Sequence, residues 1–326
     1  MPKSIFHFIV LQIINLYFRI SFIIEQIKDK KLNILKNNSH KNTHSFVNIP
    51  FLFLISLFFI SSCDKNKDIQ EIPSYIHIES VNLTTNSSEG SNTHNITDVW
   101  IYVESDTEIE FRGTYPLPAT IPLLKTDSTK IYIRAGIKDN GISGTRVKYS
   151  FYKTFETDIF LVKDSIVNIN PNFEYVSNAN FEIENFEGVG TNIDTTLKSD
   201  IDFEVKTEGG NKYAHAILDD NNLIFEVATE EFENLPQVGA PIYIELDYKS
   251  NHDFMVGTYI NYPFSVVNRE LLWVTPKEDW NKIYINMTGT VSEAIDNTSL
   301  KFYINMFRTD TTQDAWIEFD NFKIVY

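Results

Sequence analysis

The sequence predicts an all-β protein, and three observations carry that expectation. After residue 63 nearly every segment alternates apolar and polar residues with period two, and turn residues recur at short intervals between those segments. No stretch beyond residue 63 repeats apolar residues at helical spacing for more than about two turns, the best candidate being 227–234. The alternation is clearest at 75–83, 99–103, 130–134, 242–248 and 282–286. Successive side chains of a strand point to opposite faces, so each of these segments reads as a strand with one face buried and the other solvated.

The chain opens on an apolar stretch, 5–24, interrupted by His7, Gln12, Asn15 and Arg19. Residues 1–35 therefore read either as a transmembrane helix or as translated sequence upstream of the true start. The Ile, Asn, Lys and Phe bias of an A/T-rich genome favours the second. The run from Phe51 to Ile60 is apolar apart from Ser56. It is shorter than the roughly 20 residues of a membrane-spanning helix. With Lys36 and Lys41 before it and small residues after it, it has the plan of a secretory signal, so 1–62 is expected to be a signal segment.

The closing Ile60-Ser61-Ser62-Cys63 resembles the bacterial lipobox, in which the thiol is lipidated and the chain is cut just before it. The resemblance implies acyl chains on Cys63, each buried methylene adding about 0.8 kcal/mol of membrane affinity. The polar Asp64-Lys-Asn-Lys-Asp68 that follows resembles the start of Bacteroidetes lipoproteins. That implies an outer-membrane lipoprotein on the periplasmic or surface face, with 63–73 as lipidated cysteine and tether.

Lys and Arg number 28 against 44 Asp and Glu, a net charge of −16. Loss of 1–62 removes seven basic and two acidic groups and deepens the charge to −21. A chain this acidic lacks the broad basic face that a phosphate backbone requires, which excludes nucleic acid as a partner. Cys63 is the single cysteine, which excludes an intrachain disulfide and multi-cysteine metal centres.

Turn residues in Val167-Asn-Ile-Asn-Pro-Asn172 and a fresh strand at Asn180 divide the remainder into units at 74–168 and 178–326. The first has room for six or seven strands, and an immunoglobulin-like or related β-sandwich is the natural solution at that spacing. It includes a hairpin at Asp139-Asn140-Gly141, since Asn-Gly suits a type I′ turn with two positive φ angles. The second has room for about eight strands. Its segments Asn180-Phe-Glu-Ile-Glu-Asn-Phe-Glu187, Asp279-Trp-Asn-Lys-Ile-Tyr-Ile-Asn286 and Ile317-Glu-Phe-Asp320-Asn321-Phe322 resemble the galactose-binding-like jelly rolls used as carbohydrate-binding modules. The resemblance implies a jelly-roll β-sandwich with Trp280 in its core. It also implies a structural Ca²⁺ held by Asp320 with Glu184 or Glu187, hard oxygen ligands of the kind calcium prefers. No other cofactor is implied.

A sugar-binding face needs flat apolar rings beside polar groups that bond hydroxyls. Trp273, Tyr259 and Tyr262 meet that need in sequence that reads as loop-rich between Gly257 and Pro276, with Asn261, Asn268 and Arg269 nearby. Trp316 shares strand parity with Glu318 and Asp320 and is expected to face outward, and Trp100 to pack inside its unit. Glu182, Glu184 and Glu187 superficially resemble the acid-rich strand of retaining β-glucanases, a mechanism that needs carboxyls about 5.5 Å apart. The usual intervening Asp is missing and Glu187 would need a bulge, so catalysis is not expected. His77, His94, His215 and His252 have no metal-ligand spacing, and no nucleophile elbow, phosphate loop or dinucleotide fingerprint occurs. The expected function is that of a non-enzymatic, lipid-anchored envelope protein binding glycan or another surface component. The alternatives are an assembly lipoprotein acting through protein contacts and, more distantly, a glycoside-active enzyme.

Overall fold

The computed structural model describes residues 72–294, 298–310 and 312–326, so the signal segment, Cys63 and all but the end of the tether lie outside the described residues. Among the described residues the alternating segments form strands, except that 75–83 breaks at 79–81 into Ser74–Ile78 and Asn82–Leu83, and the one α-helix is the short α1 (Thr288–Ser292). No described helix is long and apolar enough to cross a membrane. The best helical candidate, 227–234, instead begins inside strand β15 (Ile224–Thr229).

In the N-terminal sandwich, β1 (Ser74–Ile78) lies between β5 (Ala119–Leu123) and β9 (Ile166–Asn168). The other sheet runs β4 (Ile109–Pro116), β3 (Asp98–Glu104), β6 (Asp127–Lys138), with β7 (Arg146–Lys148) and β8 (Phe155–Leu161) both on β6. The short β2 (Asn82–Leu83) and β10 (Asn172–Phe173) pair in parallel. Alternate residues such as Ile76 and Ile78, Val99 and Ile101, and Ile131 and Ile133 fill the core. Each such side chain contributes on the order of 2 kcal/mol relative to exposure. Nine strands fall within 74–168, with β10 just beyond, where six or seven were expected, because pieces of two or three residues have no period to read. The expected type I′ turn is present: Asn140 and Gly141 have φ of 54° and 69°, and Ile142 N donates to Asp139 O at 3.1 Å.

The C-terminal sandwich is a jelly roll whose chain passes between two antiparallel sheets at most connections. One sheet runs β13 (Glu204–Glu208), β14 (Asn211–Leu218), β21 (Ala315–Val325), β16 (Tyr243–Ser250), β19 (Lys277–Asn286), with β11 (Phe181–Glu184) also on β21. The other runs β12 (Ile193–Thr195), β15, β20 (Ser299–Phe307), β17 (Phe254–Tyr262), β18 (Ser265–Val274). Between them pack Leu246, Ile317 and Phe319 from the first sheet and Phe225, Val256 and Phe302 from the second.

The first of these sheets is covered on its outer face by the N-terminal sandwich. Tyr243, Tyr284 and Val325 belong to the N-terminal core, and the hairpin tip docks through Asn140 N to Tyr284 O at 2.9 Å and Asn286 N to Asn140 Oδ1 at 2.8 Å. Charged residues of outward parity are buried there and matched. Glu245 accepts from the Tyr149 hydroxyl at 2.7 Å and the Tyr175 hydroxyl at 2.8 Å. Lys282 lies 3.4 Å from Glu245 and 3.5 Å from Asp247, and Lys323 donates to Tyr175 at 3.0 Å. Burial, followed by the Glu245 charge, pushes the Tyr149, Tyr152, Tyr175 and Tyr284 hydroxyls above their usual range.

Trp280 departs from the expected core position. Ile283 and Ile285 take the inward parity of β19, so Trp280 stands on the outer face at the margin of the covered area, 41% exposed and edge-on to Tyr213 at 5.5 Å. Trp316 takes the outward parity expected of it, opposite buried Ile317. Trp100 is half-buried beside Phe111 at 5.5 Å, with outward parity between buried Val99 and Ile101, and so lies outside the N-terminal core.

Candidate functional site

The outer face of the second, open sheet is formed by rungs of facing residues. Glu226, Asn305, Met255 and Trp273 make one rung across β15, β20, β17 and β18. Ala228, Tyr303, Gly257 and Glu270 make the next, and Lys301, Tyr259 and Asn268 a third. A bulge opposite Val256 and Gly257 inserts a residue into β18. A bulge reverses the alternation beyond it, which is why Glu270 and Asn268 share the face of Trp273.

Gly257 is the position where the backbone requires the absence of a side chain. A Cβ there would lie 2.3 Å from the Tyr303 hydroxyl and 2.4 Å from Cζ, so glycine lets the Tyr303 ring lie flat across β17. The ring is fixed by its hydroxyl donating to Asn268 Oδ1 at 2.8 Å, with Tyr259 at 4.7 Å between centroids. Burial pushes the Tyr303 hydroxyl up to about 12, and burial with the Glu226 charge pushes that of Tyr259 higher still.

Above this floor stand two open rings, Trp273 and Phe307, 51% and 42% exposed. They line a cleft of about 290 Å³ with Lys198, Glu226, Asn268 and Asn305. Glu226 is buried and accepts from the Thr196 hydroxyl at 2.8 Å, the Tyr259 hydroxyl at 2.8 Å and Asn305 Nδ2 at 3.0 Å. Lys198 donates to the Tyr259 hydroxyl and lies 4.6 Å above its ring. Because Glu226 holds the Asn305 amide nitrogen, the orientation of that amide is set and its Oδ1 is left buried without a partner. An unmatched buried carbonyl costs about 1–3 kcal/mol.

Of the sequence candidates, Trp273 and Tyr259 are brought together here, on adjacent strands of a hairpin where loops were expected. The only break in that hairpin is the short turn between Tyr262 and Ser265. Tyr262 has inward parity and packs against the main core. Arg269 is turned off the cleft face by the bulge and pairs with Glu293 at 2.8 Å. Glu226, Tyr303, Asn305 and Phe307 were not singled out in the sequence, although each alternates with core residues such as Phe225, Val227, Phe302 and Ile304.

The carboxylates of the implied calcium site are held by protein donors. Glu184 accepts from Phe186 N at 2.6 Å and Asn192 N at 2.5 Å. Glu187 accepts from Lys212 N at 2.7 Å, and the neighbouring Asn211 donates to Asp320 at 2.9 Å. Glu187 and Asp320 therefore accept from consecutive residues of β14, and Glu184 accepts from the connection between β11 and β12 that also carries Glu187. Burial raises the Asp320 carboxyl to about 6. No group of three or more His, Cys, Asp or Glu among the described residues is arranged to hold a metal ion. Glu182 is exposed, 3.4 Å from the Tyr326 hydroxyl.

A scan against protein-family models finds no match, and a search of curated proteins finds none either. Solved structures do match. One is a carbohydrate-binding module of the β-sandwich superfamily, described for its promiscuous specificity: 12% identical, TM-score 0.34, covering 69% of this chain and 83% of that one. Another is the family 11 carbohydrate-binding module from Clostridium thermocellum in complex with a β-1,3-1,4-mixed-linked tetrasaccharide: 12% identical, TM-score 0.33, covering 44% and 94%. A third is a family 29 carbohydrate-binding module from Piromyces equi: 10% identical, TM-score 0.30, covering 45% and 91%. None of the three exceeds 12% identity, so the chemistry of the cleft is read from its own side chains.

Proposed function

We propose that this protein is a non-catalytic glycan-binding protein, held at the cell envelope by lipid on Cys63, that takes its ligand on the open sheet of the jelly roll. The observation that carries the binding role is the pair of open rings, Trp273 and Phe307, beside the unpartnered Asn305 carbonyl. Flat rings receive the apolar C–H faces of a sugar, and fixed amides and carboxylates receive its hydroxyls. The cleft favours binding over hydrolysis. Its two carboxylates, Glu226 and Glu270, stand on the two outer of four adjacent strands, β15 and β18, and on different rungs, whereas a glycosidase needs its two carboxyl groups facing each other across the scissile bond. Glu226 is also committed to three protein donors.

Affinity electrophoresis through gels containing soluble polysaccharides tests the binding role. At least one polysaccharide is expected to retard the chain, with Trp273→Ala at least tenfold weaker. Migration unchanged in every polysaccharide, or Trp273→Ala equal to the unsubstituted chain, would overturn it. The anchor is tested separately by mass spectrometry of the mature N-terminus, where an unmodified peptide spanning Ser62-Cys63 would exclude lipidation.

A further inference from the structure

Trp273 borders two cavities. On one side is the cleft of the open sheet; on the other is a pocket of about 340 Å³ between the end of the jelly roll and the 139–142 hairpin of the N-terminal sandwich. The second pocket has a charge pattern opposite to that of the whole chain. Although Asp and Glu outnumber Lys and Arg by 44 to 28, no Asp or Glu lines it, and three lysines do. Lys282 is already matched by Glu245 and Asp247. Lys138, on the strand that leads into the hairpin, and Lys277, at the start of β19, make no ion pair among the described residues. The remaining polar lining includes the amides of Asn95, Asn140 and Asn281. The hairpin is held in place by its backbone and by Gly141, whose Cβ, if present, would meet Ile283 Cδ1 at 3.1 Å on a backbone with φ of +69°.

From this juxtaposition we infer that the ligand is an acidic polysaccharide. Its chain passes over Trp273 from the cleft into the pocket, where Lys138 and Lys277 take the carboxylate of a uronate residue. The inference rests on the glycan-binding reading of the cleft and gives the N-terminal sandwich a share in recognition. Lys138 is half-buried and Lys277 exposed at the rim, and an ammonium beside a low-dielectric wall attracts a carboxylate more strongly than one in open water. The acidic surface elsewhere opposes a polyanion only weakly, since at physiological ionic strength charges beyond about 8 Å are screened.

The test runs the full mature chain through gels containing alginate or polygalacturonate, and through gels containing neutral hydroxyethylcellulose or glucomannan. A polyuronate is expected to retard the chain more than the neutral polymers, and retardation should weaken as salt is raised. Lys138→Ala with Lys277→Ala is expected to lose at least tenfold in affinity for the polyuronate, with an unchanged melting curve. Retardation by neutral polymers alone, or a double variant equal to the parent, overturns the acidic ligand and leaves the cleft intact. Retardation by no polysaccharide overturns both.

Discussion

Each sheet of the jelly roll carries a buried glutamate on its outer face, and the two are held in different ways. Glu245, under the N-terminal sandwich, faces two buried lysines, Lys282 and Lys323, and two tyrosine hydroxyls. Glu226, on the open sheet, is satisfied by two hydroxyls and an amide, with the mostly exposed Lys198 ammonium 3.9 Å away. Removing a charge from water is costly unless opposite charge and hydrogen bonds replace the lost solvation. The covered face therefore carries its counter-charges within the protein. The open face leaves the Trp273 and Phe307 rings uncovered, while Asn305 Oδ1 is buried without a partner. The same strand architecture thus yields a joint on one side and an open cleft on the other, and the difference lies in what covers each face.

The largest expected effect breaks the joint. Glu245→Ala would leave Lys282 and Lys323 buried with Asp247 as the remaining carboxylate among their ion pairs. Loss of one member of a buried pair costs about 3–5 kcal/mol. Glu226→Ala should cost about 1–3 kcal/mol, since it orphans neutral donors next to solvent. Urea unfolding of both variants measures the difference, and a larger loss for Glu226→Ala would reverse the comparison.

Smaller shifts should appear with pH, again on the covered side. Burial raises the folded-state carboxyl of Asp320 to about 6, so between about 4 and 6 the folded chain binds more protons there than the unfolded chain. Its contribution to stability is complete below the unfolded value and is lost as pH rises through 6. Lys323, lowered by burial to about 8, binds fewer protons when folded, so stability should rise from about 8 towards 10.4 at this group. Against the unsubstituted chain, Asp320→Asn should gain stability as pH rises from 4 to 7. A constant difference over that range would place Asp320 in water.

What the sequence made legible follows the same division. Alternation identified the inward residues, such as Ile244 and Leu246, because a core face has period two wherever it lies. Asp139-Asn140-Gly141 was readable as a hairpin because its chemistry is local. Trp273 and Tyr259 were found as ring types next to amides. Glu226, Tyr303, Asn305 and Phe307 were not, because outward parity acquires meaning only once it is known which sheet is left uncovered. Arg269 was misplaced by a bulge that reverses parity without a sequence mark. Lys282 and Lys323 carry no local mark of burial, which depends on a second sandwich whose contact is non-local.

The smallest expected effect sharpens the comparison at its edge. Trp280 is the covered sheet's own half-exposed tryptophan, 41% exposed against 51% for Trp273. It has the ring that a glycan site requires, and it lies beside Tyr213, with the Lys249 ammonium 5.2 Å from its centroid. If exposure of an aromatic ring were sufficient, Trp280 would bind sugar as Trp273 is proposed to do. The polar groups around Trp280 are already matched: Lys249 pairs with Glu318 at 2.6 Å, and Glu318 also bonds His215 at 3.0 Å. The face around Trp273 instead has a second open ring, Phe307, and the buried, unmatched Asn305 carbonyl. Trp280→Ala is therefore expected to change polysaccharide affinity by less than about twofold and stability by about 0.5–1 kcal/mol, the worth of an edge-on aromatic pair. A tenfold loss of binding in Trp280→Ala, with Trp273→Ala unaffected, would move the site to the other sheet.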